Sequence, residues 1–196
     1  MEKEIINKKL QENEKTWNLV ADQFKEASSL PVWGPFGVGD NLNLIPIIKN
    51  KKFLEIGCGS GRSIKYLVKK GVKKVYGLDM SSAQLKEAKK FNKKAIEKKK
   101  VSLIKVNMED KIIIEPIDII FSVYAIGWTV NPKSTFKNIY SYLKHGGEFI
   151  WSWDHSFFTN IEYENGKFIV NDSYHKEKYF ILKNWRKDGA CKVPLS

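Results

Sequence analysis

Three glycines in five positions, Gly57, Gly59 and Gly61, stand at the centre of FLEIGCGSGRSIKYL, residues 53–67. A carboxylate, Glu55, comes two residues before the first of them, and a second acid, Asp79, falls 18 residues after the last. Glycine has no Cβ, so a ligand can approach such a turn closely, and a helix beginning near Arg62 would direct free N–H groups toward it. An acid at the tip of the next strand can accept both hydroxyls of an adenosine ribose. Dinucleotide sites space their glycines GxGxxG and set a pyrophosphate against the helix. Here the third glycine comes one residue early, and a negative charge at Glu55 would oppose a pyrophosphate while attracting an ammonium or sulfonium group. That asymmetry favours S-adenosylmethionine over a dinucleotide.

Elements that alternate strand and helix must position these residues. Strands are expected at Lys52 to Ile56, Lys74 to Leu78, Val101 to Val106, Ile117 to Ser122 and Glu148 to Trp153. Helices are expected from Arg62 to Lys70, from Ser81 through the lysine-rich run to residue 100, and from Asn131-Pro132 to a stop at Gly146. Ser81 and Gln84 have capping-box spacing. Strands separated by single helices lie parallel through right-handed crossovers, so the chain reads as an α/β, doubly wound, mostly parallel sheet. Ligands then bind beyond the carboxyl ends of the strands. Gly57 to Gly61, Asp79, Asn107 to Glu109, Ser122 to Trp128 and Asp154-His155 should therefore line one crevice.

Composition bounds the alternatives. A chain of 196 residues fits one domain and can hold a core without metals or disulfides. Two cysteines, Cys58 and Cys191, without CxxC spacing, argue against structural zinc and suit a reducing compartment, so no metal is expected and the cytoplasm is the expected address. The first 17 residues hold no continuous apolar stretch that could act as a signal peptide or membrane span. A net charge of +12 raises the question of nucleic acid. Yet only Arg62 and Arg186 among the 34 basic residues are arginine, and the lysine runs at 69–70, 73–74 and 98–100 read first as solvated faces.

Taken together, LEIGCGSGR at 54–62, VYGLDMSSAQLKEAK at 75–89, VNMED at 106–110, DIIFSVYAIGW at 118–128 and LKHGGEFIWSW at 143–153 resemble the class I S-adenosylmethionine-dependent methyltransferases, in particular the small methyltransferase-domain group. The resemblance implies a Rossmann-like core with S-adenosylmethionine as cofactor and S-adenosylhomocysteine as product. It implies that Glu55, Gly57 and Gly59 hold the methionine portion, with the Gly57 backbone receiving its ammonium group and with Cys58 and Gly61 in the same turn. Asp79 would bind the ribose hydroxyls, Met80 would pack on the adenine, and Asn107, Met108 and Glu109 would border that ring. Ser122, Val123 and Tyr124 would lie near the sulfonium and the acceptor. Ordinary roles stand beside these: Met80 and Met108 as core filler, Glu109 as a solvated acid, Tyr124 as packing.

Methyl transfer from a sulfonium is an in-line displacement that needs position and desolvation more than a protein nucleophile. Tyr124 and His155 are the candidate catalytic residues, His155 being placed where a general base could reach an acceptor proton or, equally, serve as a structural histidine. Trp17, Trp33, Tyr124, Trp128 and Trp151 could wall the acceptor or fill the core. The stretch SVYA stands where base-amine methyltransferases carry D/N-P-P-Y/F, which argues against DNA adenine or cytosine methylation. The expected activity is transfer to a small-molecule acceptor; the alternatives are a non-catalytic S-adenosylmethionine-binding protein and an RNA or protein methyltransferase.

Three regions are expected within one globular domain: N-terminal helices and an aromatic cover loop over 1–50, the cofactor-binding core over 51–153, and a hairpin and tail over 154–196. The cover loop, residues 30–40, could equally be a linker whose Trp33 and Phe36 pack on the core. The family's sheet closes with two further strands, whereas residues 154–196 read as a hairpin about Asn165-Gly166, a possible strand at Tyr179 to Leu182, and a tail. The final strands are therefore expected to be missing or altered, and the open sheet edge then needs cover, which a second copy in a homodimer could supply.

Overall fold

The computed structural model describes residues 2–24, 31–33, 44–45, 47–155, 161–170, 184–187 and 191–194. Five strands, β1 (Lys52–Ile56), β2 (Lys74–Asp79), β3 (Val101–Lys105), β4 (Ile117–Val123) and β5 (Leu143–Ser152), form one sheet in the order β3-β2-β1-β4-β5. Every neighbouring pair is parallel. The connections run outward in both directions from β1, so the switch point lies between β1 and β4. Helices α2 (Arg62–Lys69), α3 (Ser82–Phe91), α4 (Lys93–Glu97) and α5 (Pro132–Tyr142) lie along the crossovers, and α1 (Glu2–Leu19) precedes the sheet. This is the Rossmann-like, doubly wound α/β fold. No helix among the described residues is long and apolar enough to cross a membrane.

The central strands read as unbroken apolar runs because both faces of the sheet are covered. Phe53, Val75 and Phe121 pack with Ile64 and Leu67 of α2 and with Trp33 in one cluster; Leu54, Ile120 and Leu78 pack with Ile139 and Tyr142 of α5 in the other. Trp33 is thus part of the core, its ring edge-on to Phe121. Phe36 lies outside the described residues.

Two boundaries differ from expectation. The helix expected to run unbroken from Ser81 to residue 100 is split into α3 and α4 at Asn92, a buried residue whose Nδ2 donates to the carbonyls of Gly61 (2.9 Å) and Ala88 (3.0 Å). The helix expected to stop at Gly146 ends at Tyr142 and passes directly into β5. Gly146, at φ 72°, instead marks an irregularity: Ile117 pairs with Leu143 and Ile119 with Glu148, so β5 carries extra residues there. Gly147 completes it, because a Cβ there would stand 3.0 Å from the Ile117 carbonyl oxygen.

The chain divides into two compact units, 1–153 and 154–196. The described part of the second holds the antiparallel pairs β6 (Ile161–Glu164) with β7 (Lys167–Val170), and β8 (Asn184–Lys187) with β9 (Cys191–Pro194). The first pair is the expected hairpin, and its Asn165 and Gly166 take the positive φ, 50° and 79°, that a two-residue type I′ turn requires. The second pair was not expected; the strand expected at 179–182 lies outside the described residues. No antiparallel strand joins the main sheet among the described residues.

Candidate cofactor site at the carboxyl ends of the strands

Between β1 and α2 the chain makes a turn in which Gly57, Gly59 and Gly61 all have positive φ, 70°, 49° and 69°. Two consecutive N–H groups, of Gly57 and Cys58, donate to the Leu78 carbonyl at 2.9 Å, so the turn is hung from the end of β2. A Cβ at Gly57 would lie 2.1 Å from that of Ala125, and one at Gly61 would meet Asn92 and Ala88 below 3 Å. The first and third glycines therefore let the loop after β4 and the helix pair α3–α4 close onto the turn.

Asp79 faces this turn. Its Oδ2 accepts from the Gly59 N–H and its Oδ1 from the Ser81 N–H, both at 2.8 Å. Ser81 caps α3 by accepting from Gln84 N at 3.1 Å, but the reciprocal half of the capping box is absent because Asp79 holds the Ser81 N–H. Burial raises the Asp79 carboxyl to about 6, against the lowering effect of N–H groups from Ser81, Gly59 and Met80.

Glu55 is buried in β1, and its Oε2 has no hydrogen-bond partner among the described residues. Burial pushes its carboxyl well above the usual range; Ser63 pulls it down and Asp79 pushes it further up. Burial thus works against the fixed charge expected at Glu55. Burial, followed by the charges of Asp79 and Glu55, raises the Cys58 thiol well above its ordinary value, which disfavours a thiolate there.

The remaining expected residues divide. Met108 packs on the second core cluster, and its carbonyl accepts from Asn138 Nδ2. Glu109, read as a solvated acid or an adenine neighbour, staples the loop after β4: its Oε1 accepts from Thr129 Oγ1 and Val130 N, both at 2.8 Å. Asn107 donates to Asp110 at 3.0 Å, and Met80 is half-buried. Ser122 is buried, its hydroxyl donating to the Ile56 carbonyl at 3.0 Å and bolting β4 to β1, while Val123 packs against the first core cluster. Tyr124 sits at φ 51°, with its N–H donating to Ser152 O. His155 belongs to the second unit and is exposed.

Four rings join Tyr124 in a row along the strand tips. Trp153 lies 6.0 Å from Tyr124 and 6.0 Å from Trp128; Trp128 is 5.2 Å from Trp17, which is 5.8 Å from Phe24. Trp153 rests on the 126–128 turn, where a Cβ at Gly127 would fall 1.9 Å from its ring. Of the aromatics singled out from sequence, Trp17, Tyr124 and Trp128 belong to this row. Trp33 is in the core, and Trp151 instead packs edge-on to Phe136.

Helix α1 crosses this region. Asn18 Oδ1 accepts from Ser81 Oγ (2.8 Å) and Ala83 N (3.0 Å), Glu14 pairs with Lys105 at 2.6 Å, and Asn13 donates to the Trp128 carbonyl at 3.2 Å. Asn18 and Asn92 are residues that sequence reasoning did not place at the site, as are Trp153 and Phe24 of the aromatic row. Asn92 left one trace, an amide interrupting a run of helix-forming lysines; Asn18, 63 residues from its partner, left none.

A family model for the methyltransferase domain matches residues 54–151, half of the chain. The chain belongs to that family, within the class I S-adenosylmethionine-dependent methyltransferases, and S-adenosylmethionine is the cofactor that membership implies. It is 32% identical over 140 residues to CRG1 of Saccharomyces cerevisiae, assigned as an S-adenosylmethionine-dependent methyltransferase, covering 70% of this chain and 44% of the relative. It is 28% identical over 151 residues to the malonyl-[acyl-carrier protein] O-methyltransferase of Priestia megaterium, covering 76% and 51%. The S-adenosylmethionine-dependent methyltransferase of Mesorhizobium loti shares the fold at a TM-score of 0.59 and 19% identity, over 70% of this chain and 66% of that one. The chain thus spans about half the length of these two curated relatives.

Proposed function

We propose that the chain transfers a methyl group from S-adenosylmethionine to a small-molecule acceptor at the carboxyl edge of the sheet. The observation that carries this reading is the pairing of two inward-turned acids with the glycine turn, Asp79 bound by the Gly59 N–H and Glu55 left with a buried, partnerless oxygen. A carboxylate that already accepts two N–H groups has lone pairs left for two ribose hydroxyls. A buried acid beside it with one unpartnered oxygen suits a ligand bearing a cation, which would favour its ionised form. The bound sulfonium supplies an activated methyl group. The protein's part is to hold the sugar at Asp79 and the amino-acid end at Glu55 and Gly57, and to exclude water with the aromatic row. Tyr124, its backbone fixed by Ser152, is the side chain we place against the acceptor.

A small acceptor is supported by SVYA after β4, which lacks the D/N-P-P-Y/F signature of base-amine methyltransferases. Calorimetric titration tests the cofactor: heat with S-adenosylmethionine and none with NAD is expected, and silence toward the former sinks the reading. Incubation of the protein and labelled cofactor with cell extract then tests the acceptor. Label is expected in the low-molecular-mass fraction; label in RNA or protein would transfer the assignment, and none in any fraction would leave a binding protein.

A further inference from the structure

The parallel topology collects the lysine runs, scattered in sequence, on one surface. In such a sheet the turns before successive strands all lie at the amino-terminal edge. Residues 49–52, leading into β1, hold three lysines; 69–74, leading into β2, hold four; 98–100, leading into β3, hold three. Backbone hydrogen bonds stitch these turns together. Asn50 N donates to Gly71 O (3.1 Å), Lys73 N to Lys51 O (2.8 Å), and Val75 N to Lys100 O (2.9 Å). Lys52 stands in register with Lys74, and Val75 with Val101, which sets Lys74 beside Lys100.

Three of these ten lysines are engaged: Lys52 and Lys74 with Glu115, and Lys51 with Asp118. The other seven are exposed and meet no carboxylate among the described residues. Lys144 joins the same edge through Asp118. Among the described residues, eleven lysines thus gather at this edge, where Glu115 and Asp118 are the carboxylates that pair with them. This pole lies a strand's length, about 17 Å, from the cofactor edge.

We infer that this pole is a docking surface for the phosphodiester backbone of a nucleic acid, separate from the methyl-transfer site and independent of the function proposed above. The three turns expose no aromatic or aliphatic side chain; their one branched residue, Val72, is buried. Ile47 and Ile113 are the exposed aliphatics nearest these turns in sequence, too few beside eleven lysines to insert an apolar face into a bilayer. It also lacks arginine for bidentate reading of bases, Arg62 being stacked on Phe91. Lysines acting as point charges neutralise phosphates without regard to sequence and release counterions as they do so.

Fluorescence anisotropy with two short labelled RNA duplexes of unrelated sequence tests this. Both should bind equally, and log K should fall against log salt with a slope of roughly −4 to −6 between about 50 and 200 mM KCl. The variant carrying Lys69→Gln, Lys73→Gln, Lys98→Gln and Lys100→Gln should bind at least about tenfold more weakly with a slope shallower by about 3, while its S-adenosylmethionine titration stays that of the parent. The inference is overturned by no binding, by discrimination between the sequences, by unchanged binding in the variant, or by preference for phosphatidylserine vesicles over RNA. Saturating cofactor should leave duplex affinity unaltered; competition between the two would place the nucleic acid in the crevice and also overturn it.

Discussion

Asp79 and Gly59 are joined by a 2.8 Å hydrogen bond from the glycine N–H to Oδ2, so the turn after β1 and the acid ending β2 form one unit. The tip of one strand sets the shape of the loop leaving its neighbour. Whatever the carboxylate binds is thereby held in fixed relation to the glycine turn.

Replacing Asp79 with Asn removes the charge and half the acceptor capacity while keeping the shape. Loss of two hydrogen bonds to a charged acceptor, about 1.5 kcal/mol each, predicts S-adenosylmethionine affinity roughly a hundredfold weaker. Stability should not fall in parallel. With the folded-state carboxyl raised from 3.8 to about 6, the native protein holds its proton longer than the unfolded chain does. Asp79 therefore costs stability as pH rises through that window, by about 3 kcal/mol above it. The melting temperature of the Asn variant at pH 7.5 should equal or exceed that of the parent, with the difference narrowing toward pH 4. A large drop would mean that ionised Asp79 supports the fold.

Cofactor affinity should itself depend on pH. Ribose hydroxyls donate to the ionised carboxylate, so binding should strengthen from pH 5 to about 7 and level off above. Calorimetry at pH 6 in two buffers of different ionisation enthalpy should reveal proton release on binding. Proton uptake would contradict the assignment of the acids.

Gly57→Ala adds a methyl group 2.1 Å from the Ala125 Cβ at a left-handed backbone position. Overpacking and the backbone penalty together predict a loss of about 3 kcal/mol. Adding Ala125→Gly should restore about half, since it removes the collision but not the strain. Denaturant melts of the parent, both single variants and the double variant give the coupling, and strict additivity would refute the contact.

Asn18→Ala should release α1 from the start of α3, costing about 1–2 kcal/mol and speeding amide exchange in residues 2–19. Asn18→Asp keeps an acceptor and places a negative charge at a helix N-terminus, so it should behave nearly as the parent does.

The sheet was legible because each central strand is covered on both faces and so appears as a bounded apolar run, from KFLEI to IDIIFSV. Asn131 and Ser81 announced their helices by local hydrogen-bonding chemistry, which the structure repeats. The turn and Asp79 were legible for the same reason: their spacing along the chain is set by a single βαβ unit. What failed to appear depended on tertiary context. Asn92 breaks a helix of good propensity because Gly61 offers its carbonyl. Gly146 resembles a helix stop locally and becomes a strand irregularity only when β4 lies alongside. Glu109 was an unremarkable acid until the loop after β4 folded over it.

Helix α1 has its partners at Ser81, Lys105 and Trp128, up to 115 residues later in the chain. At translation speeds of about 5–20 residues per second, this helix waits roughly ten seconds before its last anchor exists. Alone, a helix of that length is marginal in water. The element that spans the strand tips is thus made before its anchors and seated late, and its many charges keep it from sticking elsewhere in the interval.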